Sequence, residues 1–276
     1  MPDIHKISKG HWYGKSYLGN VEAGTRVRLL SYNIQVGIAS NRPHHYLTRS
    51  WRHVLPHAHH FKNLDEIARV IKEYDIVGLQ EVDAGSLRSS FVNQVDYLAE
   101  RAGFDHWYHQ RNRNLGHIAC HANGLLSRYA TSGVANHKLP GILPGRGAMV
   151  ARYGDDDNPL VVVLLHLALG RRARIRQLSY VADIVSEYEH VVVMGDLNCL
   201  ADSDEMQHLL DNTGLTPPEL DLPTFPSWRP SRTLDHILVS PSLIIENIQV
   251  LSDVDVSDHL PIGMEIVVPK AVKLVA

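Results

Sequence analysis

Near the end of this 276-residue chain, Ser257-Asp258-His259 lies between a polar turn and the apolar run IGMEIVV, where a strand has no structural need of an acid beside an imidazole. The same anomaly recurs upstream. Asn33 follows VRLLSY, Glu81 follows DIVGLQ, and His166 interrupts LVVVLLHL. Asp196 and Asn198 end HVVVMGDLN, and Asp235 with His236 opens LDHILVS. Taken singly, a strand-end Asn or Asp caps a turn, and an imidazole in an apolar strand is a hydrogen-bonded core group. So many together exceed what turns require, and strand mouths are where α/β proteins build their sites. Carboxylates and an amide oxygen are hard donors, suited to Mg²⁺ or Mn²⁺ rather than zinc. HExxH and paired-cysteine spacings are absent, which weakens a zinc reading. The chain also lacks a G-x-S-x-G elbow and a P-loop, which weakens serine hydrolase and NTPase readings. An imidazole beside an acid, with a second Asp to orient it, suits transfer of a proton from water. Metal, oriented histidine and amide donors together describe attack of water on a phosphoester.

The elements that must position these groups follow from the apolar pattern. Strands are expected at Val27–Gln35, Asp75–Val82, His121–Ser127, Gly147–Tyr153 and Leu160–Leu167. Others are expected at His190–Asn198, Leu234–Ser240, Ile244–Leu251 and Ile262–Val268. Several are continuously apolar, the mark of strands covered on both faces. Helices fall between some of them. NLDEIARVIKEY places Leu64, Ile67, Ile71 and Tyr74 on one face, with Asn63 and Glu66 resembling a capping box. A second helix carries Phe91, Val95 and Leu98, a third Ile175, Leu178, Ala182 and Val185. Ser203 caps a short fourth bearing Met206, Leu209 and Leu210. GDDDNP (Gly154–Pro159) joins two strands directly. Mixed connections without a linker predict one α/β domain across residues 1–276, with its core at about 27–268 and two sheets face to face under outer helices.

Composition narrows the class. With 44% hydrophobic and 21% charged residues the chain can bury a core, and a net charge of −3 provides no global basic field for nucleic acid. Two cysteines, Cys120 and Cys199, cannot build a disulfide framework. Cys199 reads as a buried bystander thiol. The opening residues lack the apolar core of a signal peptide. LVVVLLHLALG is too short to span a bilayer. A soluble, cytoplasmic monomer with no transmembrane segment is the expectation.

SYNIQ, LQEVD, NGLLSR, HLALG, GDLN, LDHI and SDHLP, in this order, resemble the endonuclease/exonuclease/phosphatase superfamily. Deoxyribonuclease I, exonuclease III, neutral sphingomyelinases and inositol-polyphosphate 5-phosphatases belong to it. The resemblance runs from about Val27 to Val268 and is most specific in GDLN followed by SDHLP. It implies a four-layer αββα sandwich with the site at one edge of the paired sheets. It further implies that Asn33, Glu81 and Asp258 help bind the metal, Glu81 most directly. Asp196 would then be the acid or base nearest the attacking water, with Asn198 orienting that water and the phosphate. His259, held by Asp235, would contact the scissile phosphate, and His166 would donate to a phosphate oxygen or leaving group.

Other features carry weaker expectations. Arg171, Arg172, Arg174 and Arg176 cluster at a helix start, where positive charge opposes the macrodipole. Phosphate contact and a solvated face both fit them. Arg111, Arg113 and Asn114 precede NGLLS, whose Asn123 joins the candidate substrate-binding set. GRGAM (Gly145–Met149) reads as a turn into a strand. Six of the 18 histidines fall between His44 and His60, either a second metal site or a solvated insertion that shapes substrate choice. TFPSWRPSRTLDHI (Thr224–Ile237) is similar to a bacterial branch related to lipid-anchor remodelling proteins, and to sphingomyelinase-like members. It lacks the Arg-x-Asp-Tyr-like stretch of abasic-site endonucleases. The expected substrate is therefore a phosphodiester, either a nucleic acid or a phospholipid headgroup. Phosphomonoester hydrolysis and a silent binding module stand as alternatives.

Overall fold

The apolar runs are strands, and most are covered on both faces. The structure is a computed structural model, and it describes residues 24–37, 60–141, 145–218, 220–254 and 256–276. In chain order its main elements are β1 (Thr25–Asn33), α1 (His60–Ile71), β2 (Ile76–Asp83), α2 (Gln94–Ala102), β3 (His106–Asn114), β4 (Cys120–Ser127), β5 (Thr131–Lys138) and β6 (Gly147–Tyr153). They continue with β7 (Leu160–His166), α3 (Arg171–Val185), β8 (His190–Asp196), α4 (Asp204–Thr213), β9 (Asp235–Val239), β10 (Ile244–Val250) and β11 (Ile262–Val268). One sheet has the order β10-β11-β1-β2-β4-β3 and the other β5-β6-β7-β8-β9.

Side chains alternate across each strand, so one apolar run feeds two cores. Val27 and Leu29 of β1 meet Val162 and Leu164 of β7 and Val192 and Met194 of β8 in the core between the sheets. Leu30 and Tyr32 point the other way, against Leu64 and Ile67 of α1 and Leu98 of α2. Val161, Val163 and Leu165 of β7 pack on Leu178, Val181 and Val185 of α3 and Met206 and Leu209 of α4. The result is a four-layer αββα sandwich. Among the described residues, no helix is long and apolar enough to cross a membrane.

Two helix expectations change, and two strands are added. Helix α1 begins at His60, so Asn63 lies inside it, and its amide donates to the Gly37 carbonyl at 2.9 Å rather than capping. Helix α2 begins at Gln94, with Asn93 as its N-cap accepting from the Val95 amide. Phe91 precedes that helix at φ 62 and is 64% exposed. Strands β3 and β5 went unrecognised because each is the outer strand of its sheet. HWYHQRNRN and TSGVANHK are mostly half-buried or exposed and present no apolar run.

Candidate active site

Two parallel pairs, β1 with β2 and β7 with β8, send their C-terminal ends to the same edge of the sandwich. Register then sets the neighbours. Asn33 pairs with Gln80, His166 with Asp196, and Asp196 with Asp235. His166, Asp196 and Asp235 thus stand side by side on three adjacent strands. Glu81 is turned toward them by a register shift between Leu79 and Val82 in the β2–β4 pairing, and its φ is 54. Gln35, Val36 and Asn198 also adopt positive φ, so the left-handed backbone of non-glycine residues gathers at this mouth.

The side chains form one connected set. Asn33 donates to Asp196 Oδ2 at 3.1 Å, tying one sheet to the other. His166 Nε2 lies 3.6 Å from Asp196 Oδ2 and 3.8 Å from Glu81 Oε1. His259 places Nε2 3.9 Å from Asp196 Oδ2, and its Nδ1 is 2.7 Å from Asp235 Oδ2. The Asn198 backbone N–H donates to Asp196 Oδ1 at 3.0 Å, while its side-chain amide is tied to the Leu167 carbonyl. Gln35 donates to Asp258 Oδ2 at 3.2 Å, and the Ser257 hydroxyl donates to the Asn33 carbonyl at 2.7 Å. Thr224 donates to Asp235 Oδ2 at 2.5 Å, and the Phe225 ring lies 4.8 Å from the His259 ring. Eight of the residues singled out at the strand mouths converge here: Asn33, Glu81, His166, Asp196, Asn198, Asp235, Asp258 and His259. His236 does not join them, and its Nε2 lies 2.9 Å from the Cys199 carbonyl oxygen.

Burial sets their charge states. It raises Asp196 to about 7, against the pull of His259 and with the help of Asp235 and Glu81. Burial opposes charge on His259, but Asp235, Asp196 and Asp258 together outweigh it and push the imidazole up to about 10. His166 falls well below the ordinary imidazole value through burial, reinforced by Arg146 and His259. Burial and the nearby charge of Asp258 raise Glu81. One imidazole is held protonated and the other neutral, a division of labour suited to acid–base chemistry.

A cleft of about 910 Å³ opens over Glu81 and His166, walled by Arg113, Asn123 and Arg146 and, from α3, by Arg172 and Arg176. The expected substrate-binding arginines separate here. Arg113 and Arg172 line the cleft, whereas Arg111, exposed on β3, does not. Arg171 also reaches the cleft, but its guanidinium is paired with Asp204 and Glu205, so it is not the free phosphate ligand the sequence suggested. Arg174 is held by Glu205 and the Ala168 and Leu169 carbonyls. The histidines at 44, 45, 53, 57 and 59 lie outside the described residues. His60 hydrogen-bonds to Gln94 at 2.7 Å. Cys199 is buried, and burial pushes its thiol up to about 12, which disfavours the thiolate.

Sequence reading missed Gln35, Thr224, His121 and Arg146. His121 lines the cleft, accepts from Arg88 at 3.5 Å, and is lowered to about 4 by burial and the Arg88 charge. The only local signal for Arg146 was its pair of flanking glycines.

Does this edge suit a divalent cation? Buried Asp196, Asp235 and Asp258 converge with the partly exposed Glu81, and Gln35 Oε1 and Asp235 Oδ1 are buried oxygens without a hydrogen-bond partner among the described residues. Asp196, Asp235 and His259 offer ligand atoms within 4.8 Å of one another. His259 Nδ1 is already engaged by Asp235, so that trio suits proton handling, and the carboxylate and amide oxygens beside it fit a hard cation.

A four-layer sandwich with acids, amides and imidazoles gathered at one sheet edge defines a metal-dependent phosphoesterase. The chain belongs to the endonuclease/exonuclease/phosphatase family, whose sequence profile matches residues 30–259. Solved structures share the fold. An endonuclease/exonuclease/phosphatase from Beutenbergia cavernae DSM 12333 superposes with a TM-score of 0.70 at 22% identity, over 88% of this chain and 72% of that one. The mannosyl-6-phosphatase Bt3783 of Bacteroides thetaiotaomicron VPI-5482 gives 0.65 at 17% identity, over 87% and 99%. The human Nocturnin catalytic domain, solved with a bound sulfate anion, gives 0.64 at 17% identity, over 94% and 96%. No curated protein matches the chain in sequence.

Proposed function

We propose that this protein hydrolyses a phosphodiester, a nucleic acid or a phospholipid-type headgroup, with Mg²⁺ or Mn²⁺ as cofactor, acting as a single cytoplasmic domain. The observation that carries the reading is the position of Asp196. It receives Asn33 from the opposite sheet and stands within 4 Å of both His166 and His259.

Glu81, Asn33 and Asp258 would hold the cation, which when bound neutralises charge on the phosphoryl oxygens and acidifies water. Asp196, poised near neutrality and fixed by two donated hydrogen bonds, accepts the proton of the attacking water. His259 stays charged through Asp235 and faces the negative phosphoryl group. His166, kept neutral by burial, donates to a phosphoryl oxygen or the leaving group. Asn198 acts first through its backbone N–H, which orients the Asp196 carboxylate.

A phosphomonoester is the competing substrate, supported by the shared fold of the mannosyl-6-phosphatase. Purified protein with Mg²⁺ should be offered plasmid DNA, single-stranded RNA, bis-p-nitrophenyl phosphate, p-nitrophenyl phosphate and phospholipid vesicles side by side. The diester reading expects turnover of at least one diester above p-nitrophenyl phosphate. Faster cleavage of the monoester, with all diesters intact, overturns it.

A further inference from the structure

Arg146 stands in the sequence Gly145-Arg146-Gly147 and reaches the cleft that opens over Glu81 and His166. The backbone on either side of it is sterically constrained. Gly145 has φ +113, a conformation that side chains disfavour. A Cβ on Gly147 would come within 2.4 Å of both Gln110 Oε1 and Asn112 Oδ1, so the chain there is pressed against β3. The Leu139 amide donates to the Arg146 carbonyl at 3.1 Å, and the Gln110 side chain donates to the Ala148 carbonyl at 3.3 Å. Both glycines and two hydrogen bonds therefore fix where residue 146 emerges.

Several other arginines withdrawn from solvent are engaged by carboxylates or carbonyls of the protein, although Nη2 of Arg88 is left without a hydrogen-bond partner among the described residues. Arg88 pairs with Asp83 at 2.5 Å and Arg174 with Glu205 at 2.6 Å. Arg128 donates to the Tyr74, Gly103 and Lys72 carbonyls. Arg146 has no hydrogen bond or ion pair from its guanidinium among the described residues, although it sits within the field of Glu81 and Asp196. A guanidinium partly stripped of water and left unpaired is unfavourable unless a ligand completes it. Its planar fork matches two oxygens of a tetrahedral anion.

We propose that Arg146 is the anion-binding residue of the cleft, its guanidinium taking two non-bridging oxygens of the substrate phosphoryl group beside Glu81 and His166. This rests on the phosphoester reading above and adds to it a specific ligand for the phosphoryl charge. An acidic edge carrying Glu81, Asp196, Asp235 and Asp258 would otherwise repel a phosphate. A fixed cation aimed at oxygens that gain charge during displacement is worth about 10²–10³-fold in rate at comparable sites.

The test uses the full chain and two separate readouts. Binding of inorganic phosphate to chelator-treated protein is measured by calorimetry for wild type, Arg146→Ala, Arg146→Lys and the out-of-cleft control Arg111→Ala. Turnover of bis-p-nitrophenyl phosphate with Mg²⁺, and melting temperature, are measured on the same proteins. Wild type and Arg111→Ala should bind phosphate. Arg146→Ala should bind it at least about tenfold more weakly and lose about 10²-fold in kcat/KM while melting near wild type. Arg146→Lys should fall between them, and added guanidinium ion should restore part of the Arg146→Ala rate but none of the Asp196→Asn rate. Phosphate affinity in Arg146→Ala equal to wild type, or a wild-type apoprotein that binds no phosphate, overturns the proposal. A wild type that binds phosphate through Arg146 yet cleaves no phosphoester would sink the functional reading and leave Arg146 as an anion site.

Discussion

Replacing Asp196 by asparagine separates a catalytic carboxylate from a structural one. Asp196 is 2% exposed, and burial, with Asp235 and Glu81 nearby, lifts it from an ordinary 3.8 to about 7. An acid whose pKa is higher folded than unfolded holds its proton more tightly in the fold. Its contribution to stability is therefore complete below about pH 4 and is lost as pH rises through 7. A shift of roughly 3 units at ~1.4 kcal/mol each means that ionising Asp196 costs the metal-free fold up to about 4 kcal/mol above pH 8. Part of this is offset by His259, whose charge Asp196 helps support. Asparagine removes the ionisation but retains a single acceptor oxygen for two donors, the Asn33 amide and the Asn198 N–H. One donor loses its partner, at about 1 kcal/mol and independently of pH. From pH 5 to pH 8 the stability difference between variant and wild type should therefore swing toward the variant by about 2–3 kcal/mol. At about 2–4 °C per kcal/mol for a chain of this size, that is a swing of about 4–12 °C. Scanning calorimetry in chelator at both pH values measures it, and initial rates on bis-p-nitrophenyl phosphate with Mg²⁺ should fall about 10²-fold or more. An active variant, destabilised equally at pH 5 and pH 8, would reduce Asp196 to a turn cap and refute the reasoning.

Three further outcomes follow from the same site. Exhaustive chelation should abolish turnover, and Mg²⁺ or Mn²⁺ should restore it; full activity in chelator would remove the cation from the mechanism. Asp235→Asn removes the main support of His259, which otherwise titrates near 10. The stability gained from a raised imidazole is present in full below about pH 6.5 and lost above 10, so this variant should be destabilised at neutral pH and match wild type above pH 10. Its His259 resonance should titrate well below 10 by NMR, with the rate down about 10²-fold or more; an unmoved titration would show that Asp235 does not hold the charge. Cys199→Ala should keep most activity and lose only about 1–2 kcal/mol on denaturant unfolding, since the thiol is a small buried apolar group. A variant that folds but is inactive would give Cys199 a role the geometry does not support.

The sequence by itself determined the strands of both sheets that are buried on two faces, because a strand covered twice must be apolar throughout. That same rule exposed the site. Asn33, Glu81, His166, Asp196, Asp235 and His259 stood out as polar groups where the local pattern called for none. Strands β3 and β5 stayed hidden because an outer strand half open to water carries no apolar signature. Tertiary structure decided what depends on distant neighbours. Glu205 and Asp204 of α4 occupy Arg171, whereas Arg172 has no side-chain partner among the described residues, and nothing around residues 171 and 172 announces that difference. Gln35 became part of the site only when the loop before β11 brought Asp258 within 3.2 Å of it. Arg146 looked like part of a turn until the packing of two sheets placed it on the cleft with Glu81, within the electrostatic field of Glu81 and Asp196. The charge states were decided there too. Residue type supplies a carboxyl or an imidazole, but the depth of burial and the company of other charges make Asp196 a base near neutrality, hold one histidine charged and leave the other neutral.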